Sequence, residues 1–285
     1  MKTQWQSQLP LDNIRSIVPV SGGDVNEAYR VETSQSPYFL LVQRQRSKDF
    51  FAAEVAGLNL FEQSGITAPI VIDSGEIDGD AYLLLSFLNE GTQGSQAELG
   101  ALVAKMHQQQ QPDGKFGFDL PYEGGDVSFN NNWSDSWMTI FVERRLDHLK
   151  DRLVDQGLWI EDDVKTYHKV REKIVSSLRD HTSKPSLLHG DLWGGNYMFL
   201  ENGQPALFDP APLYGDREFD LGITTVFGGF TQAFYDAYNK HYPLSKGANQ
   251  RLEFYRLYLL MVHLLKFGSM YAGSVDRSME NILNG

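Results

Sequence analysis

The sequence predicts an α+β chain of two lobes, a small β-rich one followed by a larger, mainly helical one. Its 285 residues are near twice the usual ~150-residue domain. Short apolar and alternating runs fill the chain up to Leu88, and beyond it the apolar spacing becomes helical. A hydrophobic fraction of 41% and an aromatic fraction of 12% are those of an ordinary folded protein.

In the first lobe, residues 18–31 hold two β-like runs around Ser21-Gly22-Gly23, and residues 38–43 form a compact apolar run bounded by polar residues. Ser47 is placed to cap a helix that carries Phe51, Val55 and Leu58 on one face and stops near Gly65, ahead of Pro69. Residues 70–72 and 81–88 flank Asp78-Gly79, a hairpin turn in which glycine supplies the positive φ. The expected order is three strands, a helix and two strands, with a lobe boundary that gives residues 1–88 and 89–285. In the second lobe, Ser95 and Glu98 form a capping box ahead of Leu99, Leu102, Val103 and Met106. Further helices are expected over residues 137–153, 162–178 and 252–268, with one interruption: residues 197–200 and 206–208, joined across Asn202-Gly203, pair as an antiparallel hairpin.

The charge balance excludes several function classes. Twenty-five Lys and Arg against 37 Asp and Glu leave a net charge of -12 with no basic run, so no nucleic-acid partner is expected. An acidic surface favours a cationic, amine-bearing substrate instead. The absence of cysteine removes disulfides, thiolate zinc sites and thiol nucleophiles. Neither a signal-peptide core nor an apolar run near the ~20 residues that span a bilayer is present, so no membrane partner is expected and a cytoplasmic location is. No HExxH spacing and no GxSxG elbow occurs, which sets aside zinc and serine hydrolases.

The chemistry concentrates at the hairpin of the second lobe. Its open end brings Asn196, before the first strand, beside Asp209, after the second; antiparallel neighbours lie about 5 Å apart, so two oxygen ligands there can share a hard cation such as Mg²⁺. Asp191 lies five residues upstream in the loop His189-Gly190-Asp191-Leu192-Trp193-Gly194-Gly195-Asn196. A carboxylate beside a metal-bound phosphate can accept a hydroxyl proton and orient the attacking oxygen, which is what phosphoryl transfer needs.

The strings HGDLWGGN, LFDPA and YGDREFDL resemble the kinase-like phosphotransferases, and most closely the fructosamine (ketosamine) kinase family within the aminoglycoside and choline phosphotransferase superfamily. SGGDVNEAYRV, AAEVAGL, FGFDLP, NNW, ERRL, FGGF and YRLYLLMVHLLKFG extend the resemblance over nearly the whole chain. It implies a two-lobed protein-kinase-like fold, ATP and Mg²⁺ as cofactors, Asp191 as catalytic base, and Asn196 and Asp209 as magnesium ligands. It also implies nucleotide contacts from the glycine-rich loop Ser21, Gly22 and Gly23 and from a hinge of Ser86, Phe87, Leu88 and Asn89, with the nucleotide in a cleft between the lobes.

Glu54 matches the family's helix glutamate, which pairs with a strand lysine. Leu41 stands where that lysine is expected, and Arg44 or Arg46 is the expected substitute. Trp193 is a candidate wall for a sugar-like substrate. The cluster Asp216, Arg217, Glu218 and Asp220 reads mainly as a buried network that braces the catalytic loop, with Asp216 also a candidate partner for a substrate amine. The implied reaction is ATP-dependent phosphorylation of a sugar hydroxyl of a fructosamine or ribulosamine. Two other readings are a kinase for another small hydroxyl compound (aminoglycoside, choline or homoserine) and, because the lysine is missing, a nucleotide-binding pseudokinase.

Overall fold

The computed structural model describes residues 5–20, 26–124 and 127–285. It divides into two compact units: residues 1–95 with 198–210, and residues 96–197 with 211–285. Both helices and an antiparallel sheet are present, as the α+β expectation requires.

The first unit is built on a five-stranded antiparallel sheet of β1 (Ser16–Pro19), β2 (Glu27–Glu32), β3 (Pro37–Gln43), β4 (Val71–Ile77) and β5 (Asp80–Ser86), in the order β1-β2-β3-β5-β4. β5 lies between two partners and buries Ala81 through Leu85 without interruption, the pattern of a strand covered on both faces. Alternation then sorts the side chains. Leu40, Val42, Tyr82 and Leu84 join Trp5 and Leu9 of the N-terminal segment in one core cluster, and Trp5 meets Tyr82 edge to face at 6.1 Å.

The turn between β4 and β5 has positive φ at both Asp78 (55°) and Gly79 (82°), the type I′ geometry whose twist suits a two-residue hairpin. β4 is longer than the apolar residues 70–72 suggested, because its outer residues alternate with exposed polar ones and a register shift falls between Val71 and Asp73.

Ser47 makes no side-chain cap. A 3₁₀ turn, Lys48–Phe51, leads instead into α1 (Ala52–Gln63), which buries Leu58 and Phe61. The hairpin of β9 (Tyr197–Phe199) and β10 (Pro205–Leu207) turns at Asn202-Gly203 as expected. It is tied to the rest of the first unit by the Leu207 amide donating to the Thr67 carbonyl (2.9 Å), Gly91 to Phe199 (2.7 Å) and Glu201 to Asn89 (3.0 Å).

The second unit is mainly helical: α2 (Gln96–His107), α3 (His148–Asp155), α4 (Glu161–Arg179), α5 (Glu218–Thr224), α6 (Gln232–His241), α7 (Ala248–Phe267) and α8 (Ala272–Asn284). Nine π-helical residues, Thr139–Asp147, run directly into α3, so the helix expected over 137–153 is present but locally widened. Two small strand pairs complete the unit: β6 (Tyr122–Gly124) with β7 (Val127–Phe129), and β8 (Ser186–Leu188) with β11 (Leu213–Gly215).

The core of this unit is aromatic. Trp137, Phe141, Phe219, Tyr255 and Tyr258 contact one another, the nearest pair being Phe141 and Tyr255 at 4.6 Å between centroids. This cluster seats α5, all seven residues of which are buried. Among the described residues no helix is long and apolar enough to cross a membrane.

Candidate active site

The second unit holds the loop that carries Asp191. β8 delivers it and β11 receives the returning chain. Between them the His189 carbonyl accepts from the Ala211 amide at 2.8 Å. Gly190 adopts φ 82°, and a Cβ there would stand 1.8 Å from the Ala211 carbonyl oxygen. Both the backbone conformation and the close approach therefore require glycine.

The loop is held from behind by one carboxylate. Asp220, with no exposed surface, accepts from the amides of His189 (2.7 Å, Oδ2) and Gly190 (2.9 Å, Oδ1). His107 Nε2 lies 3.0 Å from the same Oδ2, and His107 Nδ1 lies 2.8 Å from the Tyr238 hydroxyl. An aspartate that takes three donors at zero exposure has its buried charge well satisfied. The bracing role expected of the charge cluster is thus carried at the loop by Asp220. His107 is the partner that sequence reasoning missed: on its own it is one more polar residue at the end of an amphipathic helix.

Within the loop, the Asn196 side-chain amide donates to the Asp191 carbonyl (2.8 Å) and to Asp191 Oδ2 (3.2 Å). Asn196 is buried and Asp191 is partly accessible. The Asp191 amide donates to His189 Nδ1 at 3.3 Å, so fully buried His189 helps brace the loop. Trp193 is 42% exposed, and its ring lies so close to Gly195 that a Cβ there would come within 2.2 Å of it. It therefore offers a free aromatic surface beside Asp191 in the chain.

Asp216 is placed differently from its expected role toward a substrate amine. It is buried; Oδ2 lies 2.9 Å from His181 Nε2 and accepts from the Ser183 hydroxyl at 2.8 Å, and Oδ1 accepts from the Glu218 amide at 3.0 Å. Burial opposes its charge, but His181, the Glu218 amide and the Ser183 hydroxyl outweigh it and hold the carboxyl below its usual range. With both oxygens engaged it is a structural acceptor and is not presented to a ligand. Glu218 in turn receives a bidentate pair from Arg251 (2.7 and 2.8 Å), both side chains being almost fully buried.

The first unit holds Asp209 and Glu54. Asp209, two residues beyond β10, has φ 56°, a left-handed conformation uncommon outside glycine and asparagine-like residues. Glu54 on α1 is partly buried, and burial first, then the negative charge of Asp209, pushes its carboxyl well above the ordinary range. Leu41 does occupy the strand position, buried and paired with Ala28 and Leu83.

Of the two expected substitutes for the lysine, Arg44 and Arg46, Arg44 has other partners. Its guanidinium binds Glu27 (2.6 and 2.9 Å) and Asp80 (2.6 Å), and that pairing pulls Glu27 down to about 2. Arg46 lies over the Phe50 ring at 5.8 Å. Of the remaining expected nucleotide residues, Ser86 closes β5 and its amide donates to the Ile70 carbonyl at 2.8 Å, Phe87 stacks under Arg30 at 4.4 Å, and Leu88 and Asn89 lead away from the sheet. Ser21, Gly22 and Gly23 lie outside the described residues.

This sheet, hairpin and helical unit define a kinase-like phosphotransferase fold. The structure of an aminoglycoside phosphotransferase, APH(4)-Ia, in a ternary complex with AMP-PNP and hygromycin B superposes with a TM-score of 0.68 at 13% identity, covering 99% of each chain. A structure named "Putative fructosamine-3-kinase" from Haemophilus somnus superposes with a TM-score of 0.84 at 27% identity, covering 95% of this chain and 92% of that one. The chain belongs to the fructosamine kinase family, whose sequence pattern it matches over residues 1–285. A "Probable ketoamine kinase" of Staphylococcus aureus is 70% identical, covering 99% of this chain and 98% of the relative. The chloroplastic protein-ribulosamine 3-kinase of Arabidopsis thaliana is 31% identical, covering 95% and 83%.

Proposed function

We propose that this chain transfers the γ-phosphoryl group of ATP to a sugar hydroxyl of a ketosamine, a fructosamine or ribulosamine formed by glycation of an amine. The support is a loop whose backbone is pinned by buried Asp220 while Asn196 fixes one oxygen of Asp191, in a chain 70% identical to a protein named "Probable ketoamine kinase". Two of the expected donors, the Asp209 carboxylate and the Asn196 amide oxygen, are hard oxygen ligands that suit Mg²⁺. When bound, that ion neutralises charge on the phosphates.

Asp191 is the base. Asn196 holds its Oδ2, which fixes the orientation of the carboxylate that meets the acceptor hydroxyl. As the acceptor oxygen bonds to the γ-phosphorus and the bond to the ADP oxygen breaks, the hydroxyl proton passes to Asp191. Holding the carboxylate in one orientation contributes through positioning, the main source of catalysis in phosphoryl transfer. Trp193 forms a wall for the sugar, and the net charge of -12 favours an acceptor that carries an ammonium group.

The test is phosphate transfer from ATP and Mg²⁺ to a ribulosamine or fructosamine by the wild type and by Asp191→Asn. Turnover that falls by about three orders of magnitude or more in the variant is expected, the size of losing both base and orientation. Nucleotide binding with no transfer to any ketosamine would overturn the assignment.

A further inference from the structure

The second unit carries an open surface cavity of about 990 Å³, lined by residues of α4, the segment that follows it, the approach to α7 and the end of α8. It involves none of the residues assigned above to phosphoryl transfer. Lys169 and Lys173, one turn apart on α4, and Lys246 line it. Lys173 is anchored by donating to the Leu283 carbonyl at 2.9 Å, whereas Lys169 and Lys246 are exposed. Ser176, Thr182 and Ser245 add hydroxyls between the cations.

Glu172 and Asp180 also line the cavity, so its three lysines exceed its carboxylates in a protein whose overall charge is -12. His181 and Arg251 also line it. The nitrogen and oxygen atoms of His181, Asp216 and Glu218 lie within 4.8 Å of one another, the spacing of a metal cluster. The charge of Glu218 is already met by the two-pronged Arg251 contact, and Asp216 already has His181 and Ser183. These groups therefore need no added cation, and what the cavity offers beyond them is three lysine ammonium groups, two carboxylates and hydroxyls. Such a surface complements an anion, and a dianionic group attached to a polyhydroxy body uses both kinds of donor.

We propose that this cavity is a second ligand site, separate from the site of phosphoryl transfer, and that it takes a small phosphate monoester of a sugar-like compound. The lysines meet the phosphate, and the serine, threonine and carboxylate groups meet the hydroxyls. The experiment is calorimetric titration of the full chain with glucose 6-phosphate, with glucose as the uncharged control, for the wild type and for the double variant Lys169→Glu, Lys246→Glu. Both positions are exposed, and an unchanged melting temperature shows that the variant is folded.

Saturable binding of the phosphate ester, absence of binding by glucose, and a loss of affinity on the order of tenfold or more in the variant are expected, because two attractive charges become repulsive. Three results would each overturn the proposal. They are no saturable binding by the wild type at any millimolar concentration, equal binding of glucose, and unchanged affinity in the double variant, which would put the phosphate elsewhere.

Discussion

Asp220→Asn tests how the catalytic loop is held. The native carboxylate accepts from Gly190 through Oδ1 and from His189 and His107 through Oδ2, and asparagine offers one oxygen in place of two. If that oxygen keeps the Gly190 amide, the new NH₂ faces the buried His189 amide, donor against donor. His107 can accept from the NH₂ by changing tautomer and donating from Nδ1 to Tyr238, but the His189 amide stays unpaired. If the oxygen keeps His189 and His107, only the Gly190 amide loses its acceptor, and that amide lies in a part-buried position. The second arrangement is the cheaper one.

It costs one charge-assisted bond and sets the new NH₂ against the part-buried Gly190 amide, donor against donor, about 2 kcal/mol. The freed amide adjoins Asp191, so the base loses its register. A displacement near 1 Å costs on the order of a hundredfold in rate. Steady-state kinetics and urea unfolding of the same preparation check both numbers: kcat should fall on the order of tenfold to a hundredfold with nucleotide affinity little changed, beside a stability loss of about 2 kcal/mol. A variant with wild-type kcat, or one less than about 0.5 kcal/mol destabilised, would refute the idea that this carboxylate braces the loop.

Gly190→Ala should be more severe, since a Cβ 1.8 Å from the Ala211 carbonyl oxygen cannot be accommodated at φ 82°; thermal unfolding should show a loss of several kcal/mol, on the order of 3 or more. Arg251→Met strands Glu218 as a buried charge and should cost about 3–5 kcal/mol, while adding Glu218→Gln should return a large part of it, a coupling read from a double-mutant cycle. The Asp216 carboxyl lies below its ordinary value in the folded chain, so the stability it contributes is complete above the unfolded value of about 3.9 and is lost as pH falls through the lower folded value. Denaturation midpoints measured between about pH 6 and pH 3 should therefore fall less steeply in Asp216→Asn than in the wild type.

The sequence by itself determined the features that depend on neighbouring residues. Asp78-Gly79 and Asn202-Gly203 fix their hairpins because the turn is a matter of which residues tolerate positive φ. The apolar spacing of α4 and α7 fixes those helices to within a few residues. The string from His189 to Asn196 marked the loop, and its glycines announced a tight path.

Only the tertiary structure decided which charges meet. Asp220, read from sequence only as one of a bracing cluster, reaches the loop across 30 residues, and His107 reaches Asp220 across 113; in the sequence His107 is an unremarkable polar residue. α5 was not legible because a helix buried on every side has no polar face to give it a period, and the three-residue strands β8 and β11 are too short to show alternation. Asp216 was read as a group that could face a substrate, yet the fold surrounds it with donors. Arg44 was read, with Arg46 as the alternative, as a replacement for the missing lysine, yet Arg44 is engaged by Glu27 and Asp80. A side chain's type states what it can bond, but burial and the donors brought to it from distant parts of the chain set whether it braces the fold or remains open to a ligand.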